Sequence, residues 1–368
     1  MAHMTLAELL AQNTKEGTLY KTLPDGRLEC FACGHRCHIP EGRPGICKIR
    51  FNKDGKLYVP WGYVAGIQDD PIEKKPFFHA IPGARALSFG MLGCDYHCGY
   101  CQNWVTSQAL RDPVAGTEPV FVTPAELIQI AIERRCEVLT STYNEPLITS
   151  EWAAAIFQEA KKAGLVTSYV SNGNGTPEVI DYIAPWVDLY KVDLKSFDDK
   201  HYRDLGGTLE RVKETIQNLH QRDIWLEVLT LLIPGFNDGE AELTALTEFL
   251  ASVSVDIPWH VTAFHKDYKM TDPANTTAKD LLRASAIGRK AGLRYIYPGN
   301  LPGQVGEEEH TDCPFCRTLL IRRFGFQVLE DRLTPSDGRC PECQASIPGF
   351  WKKSALPRRS DGFVRPVI

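Results

Sequence analysis

The sequence predicts an α/β protein: a parallel sheet with helical crossovers, and a small cysteine-rich module at each end of the chain. Three observations predict it. From Ala86 to Tyr297 short apolar runs alternate with amphipathic helical segments, the pattern of repeated β-α units with right-handed crossovers. The cysteines fall almost wholly into three tight groups. Each apolar run ends in polar residues, which gathers chemistry at the carboxyl edge of such a sheet.

The chain has 368 residues and a formal net charge of −5. That length suits one large domain with smaller additions. The mild acidity argues against a broad nucleic-acid surface. The densest basic cluster, Arg322, Arg323, Lys352, Lys353, Arg358 and Arg359, reads as a solvated face. Twelve cysteines, eleven of them clustered, in a long chain without a signal-like leader point to metal binding in a reducing compartment, the cytoplasm. No apolar run approaches a membrane span. Ala2-His3-Met4 has the look of an expression scar and is set aside.

The first module is expected over residues 1–62. Residues 6–12 form a short amphipathic helix. Cys30, Cys33, Cys37 and Cys47 follow at a C-x2-C-x3-C-x9-C spacing among glycines and prolines. Four soft ligands close a tetrahedral zinc site or hold an auxiliary iron–sulfur cluster, with His35 or His38 able to replace one cysteine. Zinc is favoured, because four ligands leave no open position. Residues 52–56 read as a hairpin turn. A bridge over 60–82 carries Glu73-Lys74-Lys75-Pro76-Phe77-Phe78-His79, expected to lie across the entrance of the next domain.

The central domain is expected over 63–305. Its first apolar run, residues 86–92, leads into Gly93-Cys94-Asp95-Tyr96-His97-Cys98-Gly99-Tyr100-Cys101. Three thiolates at C-x3-C-x2-C hold three irons of a [4Fe-4S] cube and leave the fourth without a protein ligand. A zinc site completed by His97 is the alternative. This spacing, with Tyr100 just before the last cysteine, resembles the signature of the radical SAM enzymes. The first module, the Glu-Lys-Lys-Pro-Phe-Phe-His stretch and the cysteine loop together resemble the AmmeMemoRadiSam-system members. Their core is similar to that of pyruvate formate-lyase activating enzyme. The resemblance implies S-adenosylmethionine on the open iron, reductive cleavage to a 5′-deoxyadenosyl radical, and hydrogen abstraction from a substrate. It also implies a partial (β/α)6 TIM-like barrel.

The remaining units follow in order. Helices are expected over 124–134 (Thr123 as cap), 151–163, 177–184, 209–220, 240–251 and 277–291. Strands are expected over 137–142, 165–170, 187–194, 224–232 and 260–264, with a last one over 293–297. The strand tips then carry Asn144-Glu145, Ser171-Asn172, Asp193-Leu194-Lys195, Ile233-Pro234-Gly235 and His265. By resemblance, Asn144 and Glu145 stand where a glycine-glycine-glutamate motif holds the cofactor ammonium. Ser171 and Asn172 meet the ribose or methionine portion, Lys195 pairs with the cofactor carboxylate, and Asp193 helps bind a cation. His265 lies beside the adenosyl group. Asn144 and Leu231 depart from the family's glycines. Each residue also has a plain structural role: Glu145 as a helix cap, Ser171-Asn172 as a turn, Asp193 and Lys195 as a neutralising pair, and His265 as a buried histidine. Cys136 reads as a buried thiol. Inward charge at Glu227 would face a substrate or form a salt bridge in the barrel lining. Residues 264–270 would form part of a substrate lid.

The last module is expected over 306–368. Cys313-Pro314-Phe315-Cys316 and Cys340-Pro341-Glu342-Cys343 are the two knuckles of a zinc ribbon, with a rubredoxin-like iron site as rival. Strands are expected over 321–329 and 331–333, with a turn at 335–338. The expected partners are an unidentified small-molecule or protein substrate and an electron donor such as flavodoxin or ferredoxin. The resemblance adds Memo-like and AMMECR-like proteins. The rival functions are an activase that installs a glycyl radical on a partner, an RNA-modifying enzyme, and a non-catalytic metal-binding adaptor. Few aromatic and basic residues interleave, so nucleic acid is the least favoured partner.

Overall fold

The structure is a computed structural model that describes residues 5–352 and 365–367. Seven strands, β1 (Arg85–Gly90), β2 (Val138–Ser141), β3 (Val166–Ser171), β4 (Leu189–Asp193), β5 (Trp225–Leu232), β6 (Trp259–Ala263) and β7 (Ile296–Gly299), lie side by side in chain order. Every neighbouring pair among them is parallel. Crossovers run through α1 (Pro124–Arg134), α2 (Ser150–Lys162), α3 (Pro177–Ile183), α4 (Leu209–His220), α5 (Glu240–Val253) and α6 (Ala278–Lys290). This is the α/β architecture the alternating pattern predicts, with the strand tips along one edge.

Local chemistry explains the helix starts. Thr123 and Glu126 form a reciprocal capping box on α1, as do Thr277 and Asp280 on α6. Thr176 caps α3, and proline stands in the first turn of α1 and α3. Leu6–Gln12 is helical, started by a capping box between Thr5 and Glu8. Asp54 and Gly55 both take positive φ, as a two-residue type I′ hairpin requires, between Phe51–Lys53 and Lys56–Pro60. Cys136 is fully buried, as expected of a thiol outside the groups.

Several expectations need correction. Gly66–Pro71 is a strand, antiparallel to β1 at the sheet's edge, and Arg365–Pro366 pairs beyond it. A short helix at Asp199–Leu205, capped by Asp198, was not expected. In the last module the hairpin turns at Gly325, whose φ is 57°, so strands Leu319–Phe324 and Gln327–Asp331 replace one long strand. Arg323, read as solvated, is 2% exposed; Lys353, Arg358, Arg359 and Ala2-His3-Met4 lie outside the described residues.

The largest correction concerns residues 72–81. They do not lie across the edge that carries the strand tips. They fill the opposite end of the sheet's inner face. Ile72, Phe77, Ala80 and Ile81 pack against Ala86, Val138, Val166 and Leu189, residues at the starts of β1 to β4. Glu227 of β5 holds this plug. Its carboxylate accepts from Phe78 N–H at 3.0 Å, His79 N–H at 2.8 Å, Trp225 Nε1 at 2.9 Å and His260 Nε2 at 2.6 Å. Glu227 therefore faces chain, not open space. The last module closes over the plug: Phe350 N–H donates to His79 O at 2.7 Å, and Arg323 donates to Phe78 O at 2.7 Å while stacking on the Phe78 ring.

His79 gives this plug a pH response. Its Nδ1 lies 2.7 Å from Pro348 O, which can only accept, so Nδ1 carries the proton and Nε2 accepts from Tyr297 Oη at 2.6 Å. The ring works in its neutral form, and burial pushes its pKa down to about 4. The unfolded chain then binds more protons than the folded one between about pH 6.5 and 4. Stability is present above that window and is lost as pH falls through it, by up to about 3 kcal/mol for this group. Urea unfolding at pH 7.5 and pH 5 checks this. His79→Gln should shrink the difference between the two pH values.

Candidate functional site

β1 ends at Gly90 because the chain must pass tightly there: a Cβ would fall 2.7 Å from Thr142 O. The cysteine loop follows. Cys98 is buried and Cys94 and Cys101 are half-buried. Tyr96 N–H lies 3.4 Å from Cys94 Sγ, and Ser107 Oγ lies 3.2 Å from Cys101 Sγ. Burial pushes the Cys98 thiol up to about 12, with the Lys195 charge opposing, and pushes Cys94 and Cys101 up as well. As free thiols all three would keep their protons at neutral pH. A metal that replaces those protons removes the cost of charging them. The donor set, three soft sulfurs in one loop, fits an iron–sulfur cluster with an open corner.

The loop's backbone is held from below by Tyr96, which is 1% exposed. A Cβ on Gly207 would sit 2.1 Å from Tyr96 Oη. Gly207→Ala must therefore push the Tyr96 ring, and the loop with it. We expect a loss of about 1–3 kcal/mol in urea unfolding, with lower iron uptake on reconstitution.

The tips of β2 and β3 meet the loop through Asp95, a fully buried residue that sequence reasoning missed. Asn172 Nδ2 donates to Asp95 Oδ1 at 2.8 Å and Asn174 Nδ2 to Oδ2 at 2.8 Å. Glu145 accepts from Leu147 N–H at 3.0 Å, Ser171 Oγ at 2.7 Å and Asn172 N–H at 2.7 Å. It thus caps the turn Pro146–Thr149 and ties β2 to β3. Burial, and then the charge of Asp95, raise its pKa to about 8. Asn144 Oδ1 accepts from Met91 N–H at 2.9 Å, and so fixes the backbone just before the loop.

At the tip of β4, Asp193 pairs with Lys195 at 3.3 Å and with Lys191. Lys191, Asp193 and Lys195 recur with period two and share one face; Lys191 is the member that sequence reasoning missed. Burial alone would lower Lys195, but Asp193, and then Cys98 and Tyr100, hold it well above its ordinary value. Tyr100 is 4% exposed and meets Phe236 edge to face at 6.0 Å. Asn237 Nδ2 donates to Lys195 O at 2.7 Å, and Tyr202 Oη accepts from Lys195 N–H at 3.0 Å.

His265 is exposed rather than buried. Its Nε2 lies 3.0 Å from Gln102 Nε2, next to Cys101. The segment after it docks on the loop: Lys269 N–H donates to Gly99 O at 2.9 Å, and Tyr268 stacks on Trp104. The residues at 94–101, 144–145, 171–172, 193–195 and 265 therefore converge at one edge of the sheet.

The other cysteine groups differ in kind. The sulfurs of Cys313, Cys316, Cys340 and Cys343 all lie within 4.8 Å of one another, the one group among the described residues with that closeness. A Zn–S bond of ~2.3 Å puts tetrahedral sulfurs ~3.8 Å apart, so these four fit a single ion. Cys30, Cys33, Cys37 and Cys47 are near one another but do not form such a group.

Residues 90–247 match the Radical SAM superfamily. An uncharacterized protein of Methanocaldococcus jannaschii is 34% identical over 335 residues, covering 90% of this chain and 98% of its own. Pyruvate formate-lyase 1-activating enzyme of Escherichia coli strain K12 is 27% identical over 236 residues, covering 59% of this chain and 93% of its own. A solved radical SAM methyltransferase from Sphaerobacter thermophilus is 14% identical, with a TM-score of 0.46 and coverage of 65% and 71%. The superfamily match runs from the end of β1 into α5 and so spans the cysteine loop and the tips of β2 to β5. The chain belongs to the radical SAM superfamily, and it is an enzyme whose family uses a [4Fe-4S] cluster and S-adenosylmethionine.

Proposed function

We propose that Cys94, Cys98 and Cys101 hold the cluster and that the converging strand tips bind S-adenosylmethionine on its open corner. The observation that carries this reading is the placement of the three-thiol loop at the tip of β1, with the Lys195 ammonium close enough to act on Cys98. When bound, the two cofactors supply one-electron cleavage of the sulfonium and a carbon radical that abstracts hydrogen. The chain positions them. Lys195 offers a fixed positive charge for the cofactor carboxylate, while Asp193 and Lys191 set its orientation. Tyr100 backs the loop, and Gln102 and His265 stand where the adenosyl group would lie. Asn144, Glu145, Ser171, Asn172 and Asp95 form the hydrogen-bonded floor. In this floor Glu145 braces the loop as well as facing the cofactor ammonium.

The substrate is a small molecule or a protein. Likeness to an activating enzyme across 93% of that enzyme's length supports a protein substrate that receives a glycyl radical. Memo-like and AMMECR-like partners follow from the family resemblance of the sequence alone. A flavodoxin or ferredoxin would supply the electron. No helix among the described residues is long and apolar enough to cross a membrane, and the clustered thiols favour a reducing cytoplasm.

The test is anaerobic reconstitution, dithionite reduction and quantification of 5′-deoxyadenosine at varied S-adenosylmethionine, for wild type and Lys195→Met. Removing a charge-assisted contact worth about 1.5–3 kcal/mol raises the KM about 10- to 100-fold at equal iron content. An unchanged KM would remove Lys195 from the cofactor site. No nucleoside from a cluster-loaded wild type, with or without candidate substrates, would overturn the reading.

A further inference from the structure

The first cysteine group lies directly against the cysteine loop. Gly34, next to Cys33, donates its N–H to Asn174 O at 2.8 Å, and the same Asn174 side chain holds Asp95, next to Cys94. Gly93 on the other side of Cys94 is equally close: a Cβ there would sit 3.2 Å from Cys47 O. Arg111 completes the join, donating to Ile46 O at 2.6 Å and to Tyr96 O at 3.0 Å. Three separate contacts thus fasten the Cys30–Cys47 module to the loop.

The geometry points to an iron–sulfur cluster, not zinc, at Cys30, Cys33, Cys37 and Cys47, sited to pass an electron to its neighbour. A single tetrahedral ion needs its sulfurs ~3.8 Å apart, and the four of the last module, all within 4.8 Å of one another, suit it. A four-iron cube binds each thiolate at a separate corner, and so needs them further apart. Among the described residues, no three sulfurs of the first group, nor the three of the loop, lie mutually within 4.8 Å, whereas the four of the last module do. Cys30, Cys33 and Cys47 are buried, as a redox centre shielded from water requires, while Ile46 beside them is 40% exposed and marks a face that a donor can reach. The step balances simply. A low-potential one-electron donor of the flavodoxin or ferredoxin kind reduces the first-module cluster. That cluster gives the same electron to the loop cluster and returns to its oxidised state. The relay rests on the proposed cluster at Cys94, Cys98 and Cys101; the identity of the first-module metal does not.

The experiment measures iron and zinc in the full chain, anaerobically reconstituted, for wild type and for the triple variant Cys94→Ala, Cys98→Ala, Cys101→Ala. The triple variant should keep about four irons and about one zinc per chain. It should also keep a dithionite-reduced EPR signal that S-adenosylmethionine does not move. About two zincs and no iron would overturn the proposal. If the triple variant does not fold, wild type alone decides: two reduced signals, one moved by S-adenosylmethionine and one not, support it, and a single signal that S-adenosylmethionine moves overturns it. A wild type with only the unmoved signal would sink the loop-cluster reading and leave the first-module cluster standing. For the relay, Cys33→Ala with Cys37→Ala should slow the rise of the S-adenosylmethionine-sensitive signal after mixing with reduced flavodoxin by at least about tenfold. An unchanged rate would overturn the relay.

Discussion

Cys98→Ala should fold, lose the S-adenosylmethionine-sensitive cluster and release no 5′-deoxyadenosine above background. Cys98 is the most enclosed of the three loop thiols, 7% exposed and packed into the main core beside Tyr96 and Tyr100. Alanine in its place keeps the apolar contact and leaves a small void, so the cost in stability is about 1 kcal/mol. The chemical loss is of another order. Two remaining sulfurs, Cys94 and Cys101, cannot hold a cube that leaves one corner open. Lys195 also bears on this thiol, as it does on Cys101, so the loss of Cys98 removes a metal ligand and one charge partner together. Circular dichroism and urea unfolding check the fold, and EPR and nucleoside release check the chemistry. A variant that still forms the cluster and cleaves the cofactor would take Cys98 out of the ligand set. Unfolding would leave the assignment to Cys94→Ala and Cys101→Ala, whose side chains are more open.

The repeated units were legible because each carries its own local signal. Thr123 before Pro124, with Glu126 two residues on, starts a helix by chemistry that needs no partner. The period-two spacing of Asp193 and Lys195 likewise fixes that their side chains share a face. Long-range pairing carries no such signal. Asp95 looks like any acidic loop residue until Asn172 and Asn174, 77 and 79 positions away in the chain, close on it. Gly66–Pro71 reads Gly-Ile-Gln-Asp-Asp-Pro, with little alternation; it is a strand because β1 offers it an edge. Glu73 to His79 reads as a polar and aromatic loop fit for a surface. Its true place, inside the sheet, depends on Glu227 149 residues further on. The Glu145 reading shows the same limit, since a residue before proline is legible as a cap, while its bond to Asn172 N–H is not.

Glu227→Leu should cost about 3–5 kcal/mol in stability. The carboxylate is fully buried, and burial alone would raise its pKa. The His260 hydrogen bond above all, with the Phe78 N–H, holds it below the ordinary carboxylate value, so it stays ionised. Four donors converge on it: two backbone N–H groups of the plug, the Trp225 indole and the His260 ring. Leucine fills the space and leaves all four without an acceptor, at about 1–3 kcal/mol each. Part of that sum returns, because a buried charge no longer has to be desolvated. Glu227→Gln separates the two contributions. Its single carbonyl can accept from two of the donors while its NH2 opposes the rest, so it should lose about half as much. Urea unfolding at pH 7.5 measures both. Because the plug and the strand tips lie at opposite ends of the inner face, S-adenosylmethionine affinity should be unchanged in the folded fraction of either variant. A fall in affinity without a fall in stability would mean that Glu227 acts at the cofactor site after all, and that the plug is held by Phe77 and Phe78 packing alone.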